Sequence, residues 1–189
     1  GITVASSAES EKRHLDSQSV QGAQLTLAAE DTLLSQGRHL ASGHFLAIAK
    51  NTDLSASHSS SYSNHLESQV SPLNLTRASI FSLGDTDLKA PQQINTEKAN
   101  LNAGHFTVET KQLNNQQGSW LQRGSAQWSL NLADGLDNRQ GAMLSNGAFS
   151  LRVPLLQNDQ GLLWAGQGVL SAHTNKLHNQ QGQVIAHTA

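Results

Sequence analysis

The chain contains no cysteine. That absence excludes a disulfide framework, a thiolate metal site and a cysteine nucleophile together, and by itself leaves the redox compartment open. Proline occurs three times, aromatic residues make up 4% of the 189 residues and charged residues 14%. The formal net charge is −2 with neutral histidines, and no run of Lys or Arg exceeds the pair Lys12-Arg13. A nucleic-acid or anionic-membrane binder needs a basic footprint, so that class is excluded. No apolar run approaches the roughly 20 residues that span a bilayer. The first residues also lack the basic-then-apolar plan of a signal peptide, so a secreted protein with this sequence is expected to be a piece of a longer precursor.

What remains is Gly, Ser, Asn, Gln, Ala and Leu in a repeating order. One phrase, L-x-N-x-Q-G, is written four times. Its leucines are Leu113, Leu136, Leu156 and Leu177; its asparagines are Asn115, Asn138, Asn158 and Asn179; its glycines are Gly118, Gly141, Gly161 and Gly182. The spacings are 23, 20 and 21 residues. A fixed period of this size marks a solenoid, in which a repeat cannot bury its apolar face alone and stacks on its neighbours. Nine turns of about 21 residues, about 4.8 Å apart, give a rod on the order of 40 Å long.

After each phrase comes an apolar residue, a glycine and then alternating apolar residues: Leu121 to Gly124 before Trp128 and Leu130, Leu144 to Gly147 before Phe149 and Leu151. Alternation over three to five residues between glycine- or asparagine-rich corners describes short strands, two or three per turn. The expected fold is all-β, a parallel β-helix with 20–23 residues per turn. Leucine, asparagine and glycine columns then stack at the same angular position on successive turns. The leucines line the interior, the asparagine amides bond to one another or to turn backbone, and the glycines take positive φ or permit a tight corner.

Upstream, Gly22 with Leu25, Leu27 and Leu33 is matched 21 residues later by Gly43 with Leu46, Ile48 and Leu54. Thr86-Asp-Leu88 echoes Thr52-Asp-Leu54. Residues 1–20 read as an edge or loop segment with a short strand near Ile2. The serine-rich residues 55–71 break the period and read as an insert loop thrown out of the rod, on a face where solenoids often bind.

Candidate chemistry is thin. The nine histidines, among them His39, His44 and His105, show no H-x-x-x-H or H-E-x-x-H spacing. The acid pairs Glu30/Asp31, Asp85/Asp87 and Asp134/Asp137 have a glycosidase-compatible composition, yet Asp is also an ordinary corner residue. Trp120, Trp128 and Trp164 stand where Leu or Phe stands in sister repeats, which reads as core filling. No catalytic residue, metal ligand or cofactor is expected.

The L-x-N-x-Q-G phrases and their following elements resemble the filamentous haemagglutinin repeat, with Leu136-Asp-Asn138-Arg-Gln-Gly141 the nearest copy. The segment from Gly22 to Ala56 is similar to the related G-x-x-L-x-L-x-A repeats. The resemblance implies a right-handed parallel β-helix from a very large exoprotein exported by two-partner secretion, a class of adhesins, haemolysins and contact-dependent growth-inhibition toxins. It further implies a structural shaft displaying a distal domain, an outer-membrane secretion transporter as partner, and a secreted, cell-surface location. A glycan- or receptor-binding module and a polysaccharide lyase or hydrolase are the competing classes.

Overall fold

The structure is a computed structural model describing residues 2–4 and 22–187. Every regular element among them is a strand, and no helix is long and apolar enough to cross a membrane. All strand pairs are parallel, which requires each turn of chain to travel round the rod before it meets the turn below. The result is a β-solenoid with three faces and about eight turns, one fewer than the chain length divided by the period suggests.

The first face holds Leu25–Ala28, His44–Ala49, Ser63–Ser68, Asp85–Lys89 and His105–Glu109, with Ile2–Val4 at its edge. After a seam it continues as Trp128–Asn131, Phe149–Arg152 and Leu170–His173. The second face stacks eight strands from Thr32–Leu34 to Lys176–His178, and the third eight from Arg38–Leu40 to Gln183–Ala186. Of the expected edge segment, Ile2–Val4 pairs with Leu25–Leu27; the rest of residues 1–20 lies outside the described residues.

The core is a set of columns. Leu113, Leu136, Leu156 and Leu177 are direct partners on the second face, continued upstream by Ile94 and Leu73. Each leucine buried this way contributes about 2 kcal/mol. Leu177 belongs to the last described turn and is 52% exposed, because no described turn stacks on it from that side. Phe106, Trp120, Trp128 and Phe149 fill the middle of the rod, with Trp128 and Phe149 stacked at 4.5 Å and 6°.

The seam in the first face follows from the residues 123–127 interposed before Trp128. Here the side chain of Gln122, fully buried, replaces the missing strand. Its oxygen accepts from the Phe106 amide at 3.0 Å, and its nitrogen donates to the Ala126 carbonyl at 2.8 Å. A buried N–H left without such a partner costs about 1–3 kcal/mol.

Two readings of the upstream half need correction. The match of Leu25 and Leu27 to Leu46 and Ile48 is one residue out, since Leu25 pairs with Phe45 and Leu27 with Ala47. A one-residue slip reverses faces, so Leu46 and Ile48 lie outside the rod, in a second buried cluster with Ala28. Thr86 and Thr52 likewise stand on different faces.

The serine-rich stretch is not an insert loop. His58–Ser61 and Ser63–Ser68 are strands of the third and first faces, paired in register above and below. Ser59, Ser61 and Ser68 point inward and are buried, while Ser63 stands on the outer side of its strand, bonded to His44 at 2.8 Å. The core in this turn is largely polar, and most of its hydroxyls are paired, Ser57 Oγ being buried without a partner. Ser61 donates to Asn64 at 2.6 Å, Asn64 to Thr86 at 3.1 Å, and Ser82 and Thr86 share a bond of 2.8 Å. The apolar alternation that announces a strand is absent because hydroxyls occupy its positions.

Candidate functional site

The L-x-N-x-Q-G corner is the most elaborated feature of the molecule. The inner asparagines form one continuous chain of hydrogen bonds through the rod. Asn115 donates to Asn138, Asn138 to Asn158 and Asn158 to Asn179, each at 2.8 Å. The chain is closed upstream by Thr96, which donates to Asn115 at 2.8 Å, and by the Trp120 indole N–H at 2.9 Å. Asn115, Asn138 and Asn158 are fully buried. Buried amides are tolerated only when paired, and stacking at the strand spacing supplies one partner from each neighbour.

The residue before the inner asparagine adds a second device. Asp53, Asn74, Asn95, Asn114 and Asp137 each accept with a side-chain oxygen from the amide two residues on, at 2.9–3.1 Å. This is the local bond that makes Asx residues turn formers. Two residues beyond the inner asparagine the chain takes the left-handed conformation, at Gln117, Gln140, Gln160 and Gln181. Their side chains stack outside as a second amide ladder, with bonds of 2.8, 3.0 and 3.2 Å.

The glycines do a different job from positive φ, which falls on the preceding glutamine. A Cβ added at Gly118, Gly141, Gly161 or Gly182 would come within 3.0 Å of its own turn's asparagine Oδ1 and of a carbonyl in the turn below. Glycine is required by space. The upstream corners confirm the logic: Ala56, Arg77 and Lys98 are also left-handed, and the residues after them are Ser57, Ala78 and Ala99. There the inner position is Leu54, Leu75 or Thr96, and no asparagine amide presses on the following residue. Asparagine and glycine are therefore coupled positions.

His39 and His65 serve the wall of the rod. His39 is buried, stacked on Phe45 at 5.0 Å, and its two ring nitrogens meet Ser35 at 2.6 Å and Ser59 at 2.9 Å. Burial holds its imidazole below the ordinary 6.5. Below about pH 6.5 the unfolded chain takes up a proton that the folded chain resists. Stability is therefore kept above this window and falls as pH falls through it, by up to about 1.4 kcal/mol per pH unit for one proton. Melting curves between pH 7.5 and 5 are expected to show this loss, and His39→Gln to flatten it. An equal loss in the variant would place the sensitive group elsewhere.

His65 bonds Glu67 at 2.8 Å, and it faces Asp87 across the first face. Burial raises the Asp87 carboxyl above its ordinary value, opposed by His65. Among the described residues no group of three or more His, Asp or Glu is arranged to hold a metal ion. The other two acid pairs are exposed or held in an ion pair. Glu30 and Asp31 are exposed, as is Asp134, and Asp137 is gripped by Arg139, which donates to both its oxygens at 3.0 and 2.7 Å. Trp120 and Trp128 lie in the core, whereas Trp164 stands on the outer side of the third face, so its reading as core filling is corrected.

The surface has shallow clefts where the first face turns into the second. The larger, of about 520 Å³, is lined by Leu132, Arg152, Val153, Pro154 and His173. The other, of about 440 Å³, is lined by Glu67, Lys89, Glu109 and Lys111, with Lys89 and Glu109 paired at 3.5 Å.

The chain is similar to a toxin. It is 30% identical over 152 residues to the Toxin CdiA of Yersinia pestis, covering 80% of this chain and 5% of that protein. No family model matches the chain, and no solved structure matches it. The similarity and the solenoid together fit a filamentous-haemagglutinin-like repeat.

Proposed function

We propose that this chain is a section of the shaft of a large secreted exoprotein, exported by two-partner secretion through an outer-membrane transporter and holding a distal adhesive or toxic domain away from the cell surface. The observation that carries the reading is the scale of the similarity: most of this chain matches about one-twentieth of a toxin. The corner supports it, since the inner asparagines, outer glutamines and glycines are all engaged in joining one turn to the next. Such a segment acts by length and stiffness, and the reading gives it no catalytic residue and no cofactor.

A solenoid shaft tolerates removal of a whole turn. Deleting residues 141–160 joins Gln140 to Gly161 and restores the corner phrase. In a longer exoprotein carrying the segment, this deletion is expected to leave export and the action of the distal domain intact while shortening the rod by about 4.8 Å. Export with loss of target-cell activity would overturn the shaft reading.

A further inference from the structure

At the corner from the third face to the first, one turn in the middle of the rod carries an extra residue. Leu83 and Gly84 stand between the strands Ser79–Ser82 and Asp85–Lys89. In the turn before, Tyr62 alone separates His58–Ser61 from Ser63–Ser68, and in the turn after, Gly104 alone separates Asn100–Ala103 from His105–Glu109.

The extra residue interrupts a series of hydrogen bonds. On either side, the amide that follows a third-face strand donates to the turn before it, Leu83 to the Ser61 carbonyl at 3.1 Å and Arg123 to the Ala103 carbonyl at 2.8 Å. The amide due at the Ser82 carbonyl is that of Gly104, and it goes past to Gly84 at 2.8 Å. An inserted residue leaves a ladder group without its partner in this way. A side chain from two turns on takes its place. The Arg123 guanidinium donates to the Ser82 carbonyl, to the Leu83 carbonyl at 3.3 Å and to the Asn102 side-chain oxygen at 2.7 Å. It also lies over the Phe81 ring, 5.2 Å from its centre. Bonds from an ionised donor are stronger than those between neutral groups, and the planar fork reaches several acceptors at once.

The interior changes character at the same place. Phe45, Asn64, Thr86 and Phe106 are successive partners in the inner column of the first face, so its aromatic filling is broken for two turns. Ser61, Asn64, Thr86 and Ser82 bond in series there. Apolar contacts gain free energy with the area they bury, whereas such bonds largely replace those made to water.

We propose that the rod has a joint between the turn ending at Ser82 and the turn ending at Ala103, and that Arg123 is the strap that holds it shut. A solenoid turn is stabilised by its neighbours, so the rod parts where the contact between two turns is weakest. Arg123 spans that contact from outside, with Ser82 and Leu83 on one side of it and Asn102 on the other. Removing the guanidinium takes the donor from the Ser82 carbonyl and lets the joint open ahead of the downstream turns, where Trp120, Trp128 and Phe149 fill the core. The inference rests on the fold and stands apart from the shaft reading.

Hydrogen exchange of the intact chain, read by mass spectrometry, tests it. In the wild type, residues 79–89 are expected to exchange at least about tenfold faster than residues 142–152. Arg123→Met keeps the stem over Phe81 and removes the donors. It is expected to speed exchange in 79–89 and 100–109 by about a further tenfold and to leave 142–165 unchanged. Deleting Leu83 restores the one-residue corner and lets the Gly104 amide reach Ser82. In that background Arg123→Met is expected to change exchange in 79–89 by less than about twofold. Equal exchange of the two regions in the wild type, no change in 79–89 on Arg123→Met, or an equal rise in 142–165 would overturn the proposal. So would an undiminished effect of Arg123→Met in a folded deletion variant; the first three outcomes do not depend on that variant folding.

Discussion

Leu136→Asp is expected to lower the melting midpoint by about 10 °C or more, through a loss of about 4 kcal/mol or more. Leu136 is 1% exposed and lies between Leu113 and Leu156 in the core column of the second face. A carboxylate there must be buried without a cation or stay protonated against its ordinary value, and either route is costly. The penalty spreads because a solenoid turn is stabilised chiefly by its two neighbours. Leu177→Asp supplies the control. It makes the same chemical change in the same column at a half-exposed position, and is expected to shift the midpoint by no more than about 2–4 °C. Far-UV circular dichroism melting of both variants distinguishes the two sites; an unchanged curve for Leu136→Asp would remove the register.

The second large effect is expected at Gly141. Gly141→Ala places a methyl group against the Asn115 carbonyl and the Asn138 side-chain oxygen, within 3.0 Å of both. The carbonyl belongs to the backbone of the turn below and cannot move without opening the ladder. Overpacking of this kind costs about 1–3 kcal/mol and sometimes more. The coupling with asparagine sharpens the expectation. Where threonine holds the inner position, at Thr96, alanine follows at Ala99. Asn138→Thr combined with Gly141→Ala is therefore expected to be less destabilised than the sum of the single variants, by about 1 kcal/mol in a double-mutant cycle. Simple additivity, read from denaturant melts, would mean that asparagine and glycine are independent.

The part of the fold legible in the sequence is the part in which a side chain acts through its own column. Leu113, Leu136, Leu156 and Leu177, with the four asparagines, repeat as a phrase because each does the same job in each turn, and a job tied to stacking fixes both residue type and spacing. Legibility fails where the core is polar. Ser61 and Asn64 fill interior positions and bond one another, and Ser59 bonds His39, so the turn lacks apolar alternation and reads as a loop. It fails again at Leu46 and Ile48, where both sides of the strand are buried and alternation cannot say which faces the axis.

The outer position of Trp164 was hidden for a related reason. Leu144 and Trp164 follow Met143 and Leu163, so inward and outward residues are both apolar. Only the pairing of strands assigns Trp164 to the outside. The Asx bonds of Asn74, Asn95 and Asn114 did carry a sequence signal. An Asn or Asp recurs directly before the inner position of the corner, and aligning the corners on their left-handed residues brings it out.

The central claim is that successive turns stack in register at the glutamine corner. The absence of native cysteine allows a direct measurement, disulfide formation between cysteines introduced in pairs at Gln117, Gln140 and Gln160. Adjacent turns place the α-carbons about 4.8 Å apart, inside the span a disulfide bridges, while positions two turns apart lie about 9.6 Å away and outside it. The account predicts rapid oxidation of the pairs at 117 with 140 and at 140 with 160, and none at 117 with 160. Ready closure of the last pair, or failure of the first two with accessible thiols, would contradict the stacked solenoid.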